Sequence, residues 1–296
     1  MITGGADASL ITKNTEGNMG GMIVNHNMSS MYQHRRLKIN TQKVQKSSEK
    51  LASGYKINHA NDQAAELTVS ETMRNQIRGL NRASNNIQDG IGLVQTADAA
   101  LEETQTILDR MVELTTQAAN DVNTESDRKA IQDEINQLNK EIDHIAYDTN
   151  FNQNYMLAEG TPKAKPGYFH IQTGSLAEQS IIINFVNASK ESLGVDAVDV
   201  SNHEKATQSI AIVQDAIEKA ASWRNDFGAV WEQLEHAVRN ADNTSQNTQQ
   251  SESSIRDTNF GDEILGYTTN QILVNASQSL LAQYNQRPEA IIALLK

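Results

Sequence analysis

The sequence predicts a mainly α-helical chain: a long helical hairpin and coiled-coil bundle, with one small β-hairpin at mid-chain and discontinuous domains formed by both ends. Three observations predict it. Pro occurs only at Pro162, Pro166 and Pro288, so two long stretches lack the strongest helix breaker. Apolar residues recur at steps of three and four in both halves of the chain. Residues 147–200 depart from that rhythm, and there Asn, Gly and Pro gather.

Composition narrows the class. Of the 296 residues, 38% are hydrophobic and 5% aromatic, which suits long aliphatic seams better than one thick globular core. The formal charge of −12 disfavours nucleic acid and anionic membranes as partners. Cys is absent, so no disulfide, thiolate nucleophile or Cys metal site is available. No stretch approaches the ~20 apolar residues of a membrane span. Residues 1–21 lack the basic start, apolar run and small-residue cleavage pattern of a secretory signal, so export would need a route without a cleaved signal.

Taken in order, residues 1–21 are Gly-rich and are expected to be a disordered extension or a tag, with Met22 a possible start. Residues 23–53 lack Gly and carry the sparse apolar set Met28, Met31, Leu37, Val44 and Leu51 among frequent Arg and Lys. A helix that thinly apolar needs a partner surface. Gly54 ends it. From Asp62, a plausible N-cap, the stripe Val69, Met73, Ile77, Leu80, Ala83, Ile87, Ile91, Val94 and Leu101 covers about 48 Å of helix at 1.5 Å per residue and continues through Leu108, Met111, Leu114 and Ala118. Residues 120–126 read as a turn, with Thr124 and Asp127 as an imperfect capping box. The next helix bears the seam Ile131, Ile135, Leu138, Ile142 and Ile145.

Tyr168–Gln172 and Ile181–Val186 are expected to be two strands around a turn at Gly174–Ser175. A second helical half carries Ile210, Val213, Ile217, Ala220, Phe227, Val230, Leu234, Ala237 and Ala241. Residues 242–254 are polar all round yet free of Gly and Pro. A last apolar segment holds Ile264, Leu265, Ile272, Leu273, Leu280 and Leu281, then Ile291, Ile292, Leu294 and Leu295. Such a chain folds back at its middle, and apolar stripes on weakly self-sufficient terminal helices imply assembly.

Three stretches resemble bacterial flagellin. Residues 22–65, from MIVNHNMSSMYQHR through SEKLASGYKINHANDQAA, resemble that family's N-terminal block. Residues 78–151 resemble its helical body. Residues 252–296, from ESSIRDTNFGDEILGYTTNQIL through RPEAIIALLK, resemble its C-terminal block, and 205–241 match as well.

The resemblance implies a structural subunit of the bacterial flagellar filament, a helical homopolymer used for swimming. Residues 22–61 with 256–296 would form the inner coiled-coil core, its helices largely unstructured in the free monomer. Residues 62–255, including the hairpin region 155–200, would form the outer helical shell, and the large variable domain is missing. Met28, Met31, Leu51, Ile264, Leu265, Ile272, Leu273, Leu280 and Leu281 are the expected assembly core. The implied partners are further copies, an export chaperone at the C-terminal helices, and cap and hook-junction proteins. The implied route is type III export to an extracellular filament. Two rivals are a hook–filament junction protein, which shares the terminal helices, and a signalling helical hairpin, which would need membrane spans and an unbroken tip.

Arg110 and Leu114 fall where flagellins recognised by the flagellin-sensing Toll-like receptor carry their key Arg and Leu. Glu134 falls on the key Glu of the following helix, while Val112 departs from the Arg common at its place. The resemblance thus implies a host receptor as ligand, although subunit packing would also use Arg110 and Leu114.

No catalytic, cofactor or metal site is expected. The seven His include no His-Glu-x-x-His pattern. Glu102/Glu103 and Asp133/Glu134 are adjacent in helices and point apart. Gly90 and Gly92 more plausibly permit close helix or subunit approach than phosphate binding. Trp223 and Trp231, sharing a helical face, are read as packing residues.

Overall fold

In a computed structural model of the chain, residues 27–158 and 167–294 are described, the side chains from 287 onward excepted. The expectations for residues 1–21, and for the side chains of Ile291, Ile292, Leu294 and Leu295, lie outside the described residues. The chain divides into two compact units. One holds the residues through Leu67 together with those from Ile255; the other is Thr68–Ser254.

The first unit is built on two helices, α1 (Met28–Ser53) and α6 (Phe260–Leu294). Asn27 caps α1 by accepting the Ser30 amide at 3.1 Å, so one of the orphan donors of the first turn is satisfied. Gly54 ends it at φ 77°, a left-handed conformation that a Cβ would strain, and its N–H reaches Lys50 O at 2.9 Å. A short clasp follows. Lys56 N donates to Arg256 O at 2.6 Å and Thr258 N to Gly54 O at 2.9 Å, while the Arg256 guanidinium lies 4.8 Å from the Tyr55 ring centre. Asp62 does not serve the long helix as a cap. Its carboxylate takes the His59 amide and the Lys46 ammonium, and the His59 bond is foremost in holding it below the usual Asp range.

The second unit is a bundle of α2 (Ala64–Ala118), α3 (Glu125–Asp148) and α5 (His203–Arg256), counting their residues within 68–254. Thr124 and Asp127 close a full reciprocal capping box at the start of α3. Asp thus serves where Glu is usual, because Thr124 Oγ1 also donates to it at 2.7 Å.

Two apolar cores lie along the bundle. Leu108, Met111, Leu114, Ile131, Ile135, Ile142, Val213 and Ala220 form one, closed by Leu193, Val195 and Val200 from the one-turn helix α4 (Lys190–Leu193) and the segment after it. Leu80, Ile87, Val94, Leu101, Phe227 and Leu234 form the other. There the hairpin β3 (Tyr168–Gln172) and β4 (Ser180–Asn184), paired antiparallel, packs Ile183 and its neighbour Phe185 against the helices, beside Ile145 and Ala146 from the end of α3. Ala83, Ala97, Ala100, Ala216 and Ala241 line these cores and let the helices approach closely.

Two departures from expectation have simple causes. Val69 begins the predicted stripe but is 46% exposed, because the facing stretch of α5 is polar. Beside it, Ser70 donates to Glu252 at 3.0 Å, Ser245 to Asn81 at 2.7 Å and Ser84 to Asp242 at 2.8 Å. Residues 242–254 therefore join the bundle by hydrogen bonds rather than apolar burial. Trp231, expected to pack, is 40% exposed, while Trp223 is half-buried against both cores.

A second, tiny hairpin was not legible as strand. β1 (Asn150–Phe151) and β2 (Asn154–Tyr155) pair around Asn152 and Gln153 at φ 50° and 64°. Two positive φ values are what a tight mirror-image turn requires, and Gln is poorly suited to the second. Replacing Gln153 by Gly is expected to stabilise this unit by roughly 0.5–1 kcal/mol, net of the added chain entropy. Urea unfolding checks this, with Gln153→Ala giving no gain.

At the entry to α5, Asp199 accepts from Lys205 Nζ at 2.7 Å and from the Ser201 amide at 2.8 Å, and these bonds lower its pKa from 3.8 to about 2. A depressed folded-state pKa adds stability above the unfolded value, about 3.9. The contribution is lost as pH falls from about 4 towards 2. Melting temperatures of the wild type and Asp199→Asn are therefore expected to differ at pH 6 and to converge near pH 2.

Candidate functional site

The site residues fall on two surfaces, one in each unit. In the first unit, α1 and α6 run antiparallel through a seam that is largely polar. Ser47, Val274 and Ser277 are its buried positions, and Ser30, Gln33, Asn40, Asn270 and Gln271 are half-buried alongside Leu37, Val44, Leu51 and Leu281. Asn27 Nδ2 donates to Tyr284 O at 3.0 Å, Ser30 Oγ to Asn285 Oδ1 at 2.7 Å and Asn40 Nδ2 to Ser277 Oγ at 3.4 Å. Lys50 faces Glu263 at 3.9 Å.

Other large aliphatic side chains point the other way. Met28 and Met31 on α1, and Ile264, Leu265, Ile272, Leu273 and Leu280 on α6, are all exposed, Met28 and Ile272 by 68% and 67%. Leu51 and Leu281, in contrast, turn inward to the seam and are half-buried. The usual arrangement of a helical pair is inverted.

Magnitudes show what this inversion favours. Exposed and half-exposed seam hydrogen bonds contribute at most about 1 kcal/mol each. Removing the remaining exposed half of an Ile or Leu side chain from water stabilises by roughly 1 kcal/mol each. A surface covering all seven residues therefore outweighs the hydrogen bonds of the seam. On α6 the exposed residues also lie on different azimuths. At 100° per residue, Leu265 and Ile272 stand opposite the seam, while Leu273 and Leu280 occupy one flank and Ile264 the other. One neighbour cannot cover them all.

In the second unit, Arg110 and Glu134 come together across α2 and α3. Arg110 donates to Glu134 Oε1 through Nε at 3.2 Å and Nη2 at 3.0 Å, and to Glu113 Oε2 through Nη1 at 2.7 Å. Glu113 first, then Glu134, hold the guanidinium pKa above its ordinary value. Arg110 and Glu134 are 51% and 45% exposed, so this is a surface feature. Leu114, one turn on, is 2% exposed and belongs to the apolar core with Met111, Ile131 and Ile135. Arg110 and Glu134 therefore present an accessible face, and Leu114 supports it from beneath.

Of the two glycines singled out from sequence, Gly90 admits the β3–β4 hairpin, because a Cβ there would meet Ile171 at 3.1 Å, whereas one on Gly92 would make only ordinary contact with Phe151 at 3.7 Å. Gly90 opens into an apolar cleft of about 430 Å³ lined by Leu93, Phe151, Phe169 and Ile171, with Asp89 and Asn154 at its edge. Among the described residues, no group of three or more His, Asp and Glu side chains is placed to hold a metal ion. No described helix is long and apolar enough to cross a membrane.

Comparison with known proteins extends this picture over most of the chain. The family model of the bacterial flagellin N-terminal helical region matches residues 24–161, and that of the C-terminal helical region matches residues 210–295. A flagellin of Halalkalibacterium halodurans is 41% identical over 277 residues, covering 93% of this chain and 100% of that protein. The flagellar filament 30.7 kDa core protein of Treponema maltophilum is also 41% identical, over 286 residues, again with 93% of this chain and 100% of that protein covered. Among solved structures, the crystal structure of Bacillus cereus flagellin is 32% identical, covers 53% of this chain and 88% of that chain, and aligns with a TM-score of 0.49.

Proposed function

The chain belongs to the bacterial flagellin family and is a structural subunit of the flagellar filament, and from that premise we propose that α1 and α6 form its inner core while the 68–254 unit forms the surrounding shell. The observation that carries this division is the inverted burial of the terminal helices. Aliphatic residues on several azimuths of α6 face outward from a seam in which Ser, Asn and Gln alternate with Leu and Val.

A pair so weakly held alone gains its order when further copies cover its outer faces. Folding and assembly are then one step, and the ordering entropy is met only in the polymer. The same weakness keeps the termini pliable for type III export with a chaperone on the C-terminal helices, and delivers the subunit beneath the cap of an extracellular filament. The reading is of a structural, non-enzymatic role, and membership of a family of filament subunits supports it.

Seeded polymerisation tests this reading. Purified monomer added to sonicated filament fragments is expected to extend them, as seen by electron microscopy. Amide exchange of residues 28–53 and 260–286 should be fast in the monomer and slow in the filament. Slow exchange of both segments in a dilute monomer would overturn the coupling.

We also infer that the Arg110–Glu134 face binds the flagellin-sensing Toll-like receptor. An exposed guanidinium bridging two carboxylates supports the reading, with Leu114 acting through the packing below. Soluble receptor ectodomain should bind the monomer at micromolar concentration and lose affinity with Arg110→Ala. Absence of binding would end it.

A further inference from the structure

Cys is absent, so the thioethers of eight Met are the oxidisable sulfur of this chain. The fold sorts them sharply. Met111 and Met156 are 0% exposed, one in each core of the 68–254 unit, and Met73 is half-buried on α2. Met28 and Met31, in the first turn of α1, are 68% and 59% exposed. Met1, Met19 and Met22 lie outside the described residues. At 100° per residue, Met28 and Met31 stand about 60° apart, so both thioethers share one face of α1. Tyr32 and Ile39, also exposed, complete the apolar part of that face.

An exposed thioether is a soft nucleophile that, unlike a thiol, needs no deprotonation. Its sulfur attacks one oxygen of hydrogen peroxide. The S–O bond forms as the O–O bond breaks, and the departing hydroxide takes the proton of the transferred oxygen and leaves as water. Sulfur gives up two electrons and the peroxide gains them, so thioether and hydrogen peroxide become sulfoxide and water. The product sets a strong hydrogen-bond acceptor on a side chain that was apolar. In the isolated chain that oxygen stays hydrated. Wherever Met28 and Met31 are covered, it must shed its water without a matched donor.

We propose that Met28 and Met31 are a peroxide-modification site of the unassembled subunit, and that their sulfoxides bar the subunit from joining a filament. The proposal rests on the filament role set out above and adds a chemical control over which subunits enter. Oxidation is selective because Met111 and Met156 are shielded by their cores, so the 68–254 unit keeps its fold while α1 changes character. It is also directional. An oxidised monomer is rejected, whereas a filament already formed covers the two thioethers and is spared. Since sulfoxide formation is reversible by methionine sulfoxide reductases, a rejected monomer remains recoverable.

The test treats full-length monomer with dilute hydrogen peroxide, removes the excess with catalase, and follows each Met by peptide mass spectrometry. Met28 and Met31 are expected to gain oxygen first, and Met111 and Met156 about tenfold or more slowly, since oxidation follows exposure. Monomer carrying both sulfoxides should then extend sonicated filament fragments at least about tenfold more slowly than untreated monomer, the burial of an unmatched acceptor opposing each addition. Methionine sulfoxide reductase should restore the rate. Met28→Leu/Met31→Leu, which keeps side-chain volume and removes the sulfur, should elongate equally well before and after peroxide. Assembled filaments under the same treatment should keep Met28 and Met31 reduced. Untreated wild type separates the two readings: its failure to elongate sinks the filament role. Normal elongation by the doubly oxidised monomer overturns this inference alone, as does peroxide sensitivity that persists in the Leu variant or is not reversed by the reductase.

Discussion

Ile272→Asp combined with Leu280→Asp is expected to abolish filament growth while leaving the 68–254 unit intact. Both side chains are exposed in the isolated chain, at 67% and 41%, so carboxylates there remain hydrated and cost little before assembly. Once neighbouring copies cover these azimuths, each unpaired carboxylate is buried at a cost of several kcal/mol. A combined penalty of about 6 kcal/mol corresponds to about 10⁴ in the concentration needed to polymerise, because each 1.4 kcal/mol is tenfold. Seeded elongation followed by light scattering and electron microscopy reads the loss, and an unchanged thermal transition of the 68–254 unit shows that the fold survives. Filaments at wild-type concentrations would mean that these residues face solvent in the polymer and that the inverted burial has another purpose.

The α1–α6 pair also shows how far the sequence could be read. The helical rhythm of α2 and α3 was plain because their apolar residues return every three or four positions and end inside a core within one chain. Ile131, Ile135 and Ile142 lie where that rhythm places them. The α1–α6 pair defeated the same rule, because its seam mixes Ser, Asn and Gln with Leu37, Val44, Leu51, Val274 and Leu281, while other large aliphatic residues of the same helices stay exposed. A pattern reading assigns Leu265 and Leu281 alike to an assembly core. The structure separates them, Leu265 outward and Leu281 into the seam. Single-chain periodicity cannot draw that distinction, since it reports which residues seek burial and not which molecule supplies it. The α2–α5 bonds from Ser70, Ser84 and Ser245 were hidden for a related reason: a buried Ser has no hydropathic signature. The β1–β2 turn was obscured because Gln153 is not a residue that advertises positive φ.

Leu114→Ala is expected to destabilise the 68–254 unit strongly, and it also separates support from contact at the Arg110 face. Leu114 is 2% exposed among Met111, Ile131 and Ile135 in a core built by three helices. Removing its isobutyl end deletes the transfer energy of the lost carbons and leaves a cavity that the long, mutually braced helices close poorly. The cost should therefore fall within the 2–5 kcal/mol seen for such truncations, near 3 kcal/mol. For a unit of this size that lowers the melting temperature by roughly 6–12 °C. Arg110→Ala removes only exposed bonds to Glu113 and Glu134, and its stability should change by less than about 1 kcal/mol. If Leu114 acts on a receptor only through packing, binding by Leu114→Ala should approach that of the wild type at 10 °C, where the unit stays folded, and fall away as the unit melts. Arg110→Ala should bind weakly at every temperature. A Leu114→Ala monomer that is fully folded yet deficient at 10 °C would show instead that Leu114 emerges to make the contact itself, which requires α2 and α3 to part locally when the receptor binds.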